Sequence, residues 1–215
     1  MSTSPEASPI GLRPVASPVF ASHIDVYAVE DCAPLNSELL ALIAEWQKSD
    51  NGITASNQLG WHSPPTLFTR EEPAFRKLFD HFLQAVTITA RRNWKDFDPF
   101  RNVVAREGWA NVNGKGAFNA VHEHDTFHFS GAYYVAVGKQ GPGRSGAIEF
   151  LNPAGISAMP LPNRSYIMPP KIALVPNAGN LIIFPSYLRH WVYPNQDEEE
   201  RVSIAFNIRF GPSAR

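Results

Sequence analysis

Apolar residues recur at two different periods in the two halves of the chain. Leu39, Leu42, Ile43 and Trp46 fall at three- and four-residue intervals, the spacing of one helical face. Asn36 or Ser37 can cap this helix and Asp50-Asn51-Gly52 ends it, so a helix is predicted over about 36–48. A second begins at Pro73 and carries Phe75, Leu78, Phe79, Phe82, Val86 and Ile88 along one stripe, over about 73–93. Residues 60–65 between them read as an irregular connection. From about residue 100 the period falls to two. Strands are predicted at 102–112, 132–137, 147–151, 172–175, 181–184 and 202–210, short, rich in Val, Ile, Phe and Tyr, and separated by Gly, Pro and Asn. No helix-length pattern interrupts them, which argues against a parallel βαβ sheet. The profile is mainly β: an antiparallel sandwich or jelly roll preceded by helices that cover one sheet.

Composition narrows the function classes. Nineteen Lys and Arg against twenty Asp and Glu leave no basic excess, so a general nucleic-acid binder is disfavoured. The single cysteine, Cys32, excludes an internal disulfide framework and a multi-cysteine zinc site. No apolar run approaches the roughly 18 residues that span a bilayer, and residues 1–20 lack the pattern of a signal peptide. A cytoplasmic protein is expected: one domain over 21–215, with its barrel at about 100–212. The first 20 residues, with Pro5, Pro9, Pro14 and Pro18, form a flexible tail or an arm against the domain or a partner subunit. Asp197-Glu198-Glu199-Glu200 reads as a solvated hairpin turn.

The histidines carry the chemistry. In an extended segment residues two apart share a face, so His122 and His124 can hold one metal ion, and imidazole suits first-row transition metals. His190 follows a later apolar strand and its Pro185-Ser186 turn, where it can supply a third ligand. Arg201, Ser203 and Ala205 share one face of the last strand, and a fixed guanidinium beside a hydroxyl clamps a carboxylate. His128 reads as a hydrogen-bonding neighbour of the site. His23, His62 and His81 read as ordinary surface or boundary histidines, and Tyr133 and Tyr134 as rings on opposite faces of a sheet.

The order H-x-[DEH], several strands, H, then R-x-S resembles the iron(II)- and 2-oxoglutarate-dependent oxygenases. A narrower bacterial and phage branch is similar in Asn111-Val112-Asn113, His122-Glu123-His124, Ser130 to Val135, Phe184 to His190 and Arg201 to Asn207. The resemblance spans roughly residues 102–210. It implies a double-stranded β-helix (jelly roll, cupin-like) with helices packed on one sheet. It also implies Fe(II) held by His122, His124 and His190, and 2-oxoglutarate held by Arg201 and Ser203, with Asn111, Asn113, Tyr133 and Asn207 as further contacts. The implied reaction consumes O2, releases succinate and CO2, and hydroxylates a C–H bond of a small-molecule or peptidyl substrate. The wider superfamily binds iron with two His and one carboxylate, so Asp125 and Glu123 stay open as alternatives to His124. Two other readings also stay open. One is a cupin-like dioxygenase or isomerase with a three-His site and no 2-oxoglutarate; the other is a metal-free binding module. A monomer and a homodimer are both compatible with the sequence.

Overall fold

In the computed structural model, residues 22–139, 143–154 and 169–211 are described. The N-terminal 20 residues and most of the 152–170 loop therefore lie outside them. Strand β1 (Asp25–Ala28) leads into helix α1 (Cys32–Ser49), the two-residue strands β2 (Asn57–Gln58) and β3 (Trp61–His62), helix α2 (Pro73–Arg91) and the short α3 (Pro99–Asn102). The rest is β: β4 (Val103–Asn113), β5 (Phe118–His122), β6 (Phe129–Ala136), β7 (Ile148–Leu151), β8 (Lys171–Leu174), β9 (Asn180–Pro185), β10 (His190–Val192) and β11 (Arg201–Phe210). They form two antiparallel sheets, a large one ordered β1-β9-β6-β11-β4-β3 and a small one ordered β2-β5-β10-β7-β8.

Alternation along the strands divides the core in two. Leu181 and Ile183 of β9 join Tyr133, Ile204 and Phe206 on the face that receives Leu39, Ile43, Phe75, Leu78 and Phe82 of α1 and α2. Ile182 and Phe184 point the other way and meet Tyr134, Ile148, Phe150, Leu188 and Val192 between the sheets. The Phe82 and Phe206 rings stack at 4.2 Å. Gly131 lies opposite Phe206 in β6, and a Cβ there would collide with that ring. The helices thus seal one face of the large sheet and leave the space between the sheets for chemistry. No helix among the described residues is long and apolar enough to cross a membrane.

Several sequence expectations are corrected. Helix α1 starts at Cys32, after Asp31 turns the chain at φ 48°, and Pro34 fits its first turn. Asn36 is therefore buried inside the helix, where it accepts a hydrogen bond from the Tyr133 hydroxyl, and is not the cap. Ile88 is exposed rather than part of the α2 stripe. Trp61 and His62, expected in an irregular stretch, pair with Val112 and Asn111. The acidic run at 197–200 connects β10 of the small sheet to β11 of the large one, so it is a crossing between sheets and not a hairpin.

Candidate metal centre

Pairing in the small sheet brings two histidines together. His190, the first residue of β10, lies directly opposite His122, the last of β5, and their ring centroids are 4.3 Å apart. The chain then leaves β5, and the His124 amide donates to the Ser186 carbonyl at 3.0 Å in the turn after β9. That anchor holds the His124 ring 5.0 Å from His122 and 5.5 Å from His190. One ring nitrogen from each histidine lies within 4.8 Å of the others, a grouping that can hold a metal ion. Glu123 and Asp125, the alternatives to His124, lie outside this group. His128 is outside it too: its Nδ1 accepts from the Phe210 amide at 2.9 Å and its ring stacks on Phe210.

The electrostatics favour neutral rings. Burial, reinforced by the neighbouring histidines, pushes the His190 pKa down to about 3 and that of His124 to about 4; burial also lowers His122. Nδ1–H of His122 donates to the Ala120 carbonyl at 2.7 Å and Nδ1–H of His190 to the Leu188 carbonyl at 2.8 Å. A carbonyl only accepts, so both rings carry their proton on Nδ1 and keep the Nε2 lone pair free, the form in which imidazole binds metals.

In the same cavity, the inner face of β11 presents Arg201 and Ser203. Arg201 is 3% exposed. Its Nε donates to the Gly146 carbonyl and its Nη1 to the Ser203 hydroxyl, both at 3.1 Å, and its guanidinium lies 5.0 Å from the Tyr134 ring. Gly146, at φ +62°, lets the backbone come this close, because a Cβ would stand 2.9 Å from Arg201 Cδ. No carboxylate pairs with Arg201 among the described residues, and the buried Tyr134 hydroxyl has the Arg201 guanidinium beside it but makes no hydrogen bond of full geometry there. A buried cation and an unsatisfied hydroxyl in one cavity suit an anionic ligand.

The remaining expected contacts divide. Asn207 lines the cavity beside His124. Asn111 lines it as well, and its Oδ1 accepts from Asn57 Nδ2 at 3.1 Å. Asn113 is fully buried in the same amide network, accepting from Asn57 and donating to Asn119 at 3.4 Å. Tyr133 is a correction: it faces the helices on the far side of the large sheet, bonded to Asn36, and Tyr134 occupies the cavity face instead. Strand alternation permits only one of two consecutive tyrosines to face inward, and periodicity alone does not reveal which. Sequence reasoning missed Ser56, Trp109 and Asn119, which also line the cavity. His62 is another correction. It is buried, stacked on Trp109 at 5.2 Å, and Trp109 in turn tilts over His124 at 5.8 Å.

Residues 107–207 match the family model described as "Putative 2OG-Fe(II) oxygenase". Among solved structures, a Pseudomonas putida prolyl-4-hydroxylase is 19% identical with a TM-score of 0.58, covering 88% of this chain and 93% of its own. HygX from Streptomyces hygroscopicus, solved with nickel and 2-oxoglutarate, is 15% identical with a TM-score of 0.58, covering 89% and 83%. A prolyl hydroxylase from Trichoplax adhaerens is 12% identical with a TM-score of 0.58, covering 86% and 83%. These share the fold, and the two sheets are those of a double-stranded β-helix. No curated protein matches the sequence.

Proposed function

We propose that this chain is a 2OG-Fe(II) oxygenase, in keeping with the family model that residues 107–207 match, that His122, His124 and His190 hold its iron, and that Arg201, Ser203 and Tyr134 hold the far carboxylate of 2-oxoglutarate. The substrate is a small molecule or a peptidyl side chain, hydroxylated at a C–H bond. We place the protein in the cytoplasm, in keeping with its lone cysteine. Fe(II) and 2-oxoglutarate, when bound, supply O2 activation coupled to decarboxylation, giving succinate and CO2.

One observation carries this reading: three neutral imidazoles share a cavity with a buried guanidinium that has no ion-pair partner among the described residues. The His122 and His190 rings, neutral with Nε2 free, need lose no proton to bind a cation at neutral pH. The Ser203 hydroxyl accepts from Arg201, so its own proton is free for a carboxylate oxygen. The Tyr134 hydroxyl offers a further donor. Leaving a buried charge uncompensated costs on the order of several kcal/mol, and a carboxylate removes that cost. A dioxygenase working without 2-oxoglutarate has no use for such a clamp.

The test is an anaerobic titration of Fe(II)-loaded protein with 2-oxoglutarate, following the visible charge-transfer band of the chelate. The band is expected, and Arg201→Ala should weaken 2-oxoglutarate at least tenfold, about 1.4 kcal/mol. Iron bound without a band would point to the cosubstrate-free alternative. Absence of iron would sink the metal assignment.

A further inference from the structure

The three histidines are not equivalent. His122 and His190 are each locked by a backbone carbonyl into the tautomer that leaves Nε2 free. Among the described residues the His124 ring meets no carbonyl. Its Nδ1 lies 3.3 Å from Nδ2 of Asn207, a fully buried amide held from two further sides. Nδ2 donates to Glu107 Oε1 at 2.8 Å, and Oδ1 accepts from the Ser130 hydroxyl at 2.7 Å.

The donor and acceptor logic then runs in one direction. A carboxylate only accepts, so Glu107 fixes the NH2 end of Asn207 on its own side. The second hydrogen of that NH2 is left for His124. Nδ1 of His124 must therefore accept, and the neutral ring carries its proton on Nε2. In that state the Nδ1 lone pair is engaged and Nε2 has none to give, so neither nitrogen is free for an ion. Reversing the amide would let Oδ1 accept from an Nδ1–H, and Ser130 could follow, because its hydroxyl also contacts Ser186 Oγ at 2.8 Å and can rotate. Glu107 alone opposes the reversal, since it would then face Oδ1, acceptor against acceptor.

We propose that Glu107, acting through Asn207, holds His124 back as a ligand, so that the metal rests on two committed histidines, His122 and His190, and a third that joins only when the amide turns. Glu107 and Asn207 are positioning residues here. The inference builds on the metal assignment above but makes a separate claim about metal-free protein.

The double variant Glu107→Gln with Asn207→Asp is isosteric and inverts the clamp. The carboxylate placed at position 207 accepts from the amide placed at position 107, from Ser130 and from an Nδ1–H of His124, which frees Nε2. Long-range 1H–15N spectra of the metal-free full chain read the tautomers directly. In the wild type His122 and His190 should carry the proton on Nδ1 and His124 on Nε2. In the double variant His124 should carry a proton on Nδ1, and Co(II) affinity by chelator competition should tighten at least tenfold. Finding the His124 proton on Nδ1 in the wild type, or Co(II) affinity unchanged or weaker in the double variant, overturns the proposal. A wild type that binds no Co(II) at all would count against the oxygenase reading, while the wild-type tautomers would still decide the clamp.

Discussion

His190 couples the stability of the metal-free protein to pH. Its ring is 4% exposed, and its pKa falls from 6.5 to about 3 in the fold. The unfolded chain therefore takes up a proton on this ring near pH 6.5, whereas the folded chain resists until about pH 3. Between those values the unfolded state binds more protons, so stability falls as pH falls, and nothing is lost above the unfolded value. At pH 5, 1.5 units below 6.5, the loss from this ring is about 2 kcal/mol. For a domain of this size that lowers the melting temperature by about 4–8 °C. The assay is thermal unfolding of chelator-treated protein from pH 8 to pH 5, wild type against His190→Gln. The variant lacks the titrating ring, so its melting temperature should fall by about 4–8 °C less over the same range, whatever its absolute stability. Parallel curves for the two proteins would refute the buried, neutral ring on which the metal assignment depends.

Two further outcomes test the cavity and the sheet behind it. Tyr134→Phe should weaken 2-oxoglutarate about fivefold while leaving Co(II) affinity unchanged, and Tyr133→Phe should leave both unchanged; isothermal titration separates the two, and a matching loss in Tyr133→Phe would reverse the facing described above. Glu149, its side chain 2% exposed, accepts from Arg144, Lys171, Trp191 and Tyr193. Glu149→Ala strips all four but leaves Arg144 and Lys171 half-exposed, so it should cost about 1–3 kcal/mol in urea unfolding, and a cost under about 0.5 kcal/mol would show the network to be ornamental.

The residues now grouped around the cavity were easier to pick out in the sequence than the short strands that bring them together. His122 and His124 two apart, His190 after an apolar strand, and Arg201 two before Ser203 are local patterns, and local patterns survive in one dimension. The long strands β4, β6 and β11 were legible because half their residues face a core. Strands β2, β3 and β10 were not, because two or three residues carry no period. With β3 hidden, His62 could not be seen to reach Trp109. The inward choice of Tyr134 over Tyr133 depends on the register with β11, which shifts between Val202 and Ser203. Asp31 gave no side-chain cap to mark the start of α1, so the helix seemed to begin where its apolar period became regular.

Glu149 and His190 lie on neighbouring strands and opposite sides of the small sheet. In the observed pairing Trp191 stands across from Glu149 and donates its indole N–H to it, while Phe150 stands across from His190. A slip of one residue between β7 and β10 would swap the two sides, turning Trp191 inward and His190 out into solvent. The alignment in which Trp191 meets the Glu149 carboxylate is thus also the one that turns the His190 imidazole toward the cavity. Mutations around Glu149, remote from the cavity, would then be expected to displace His190 as well as to cost stability.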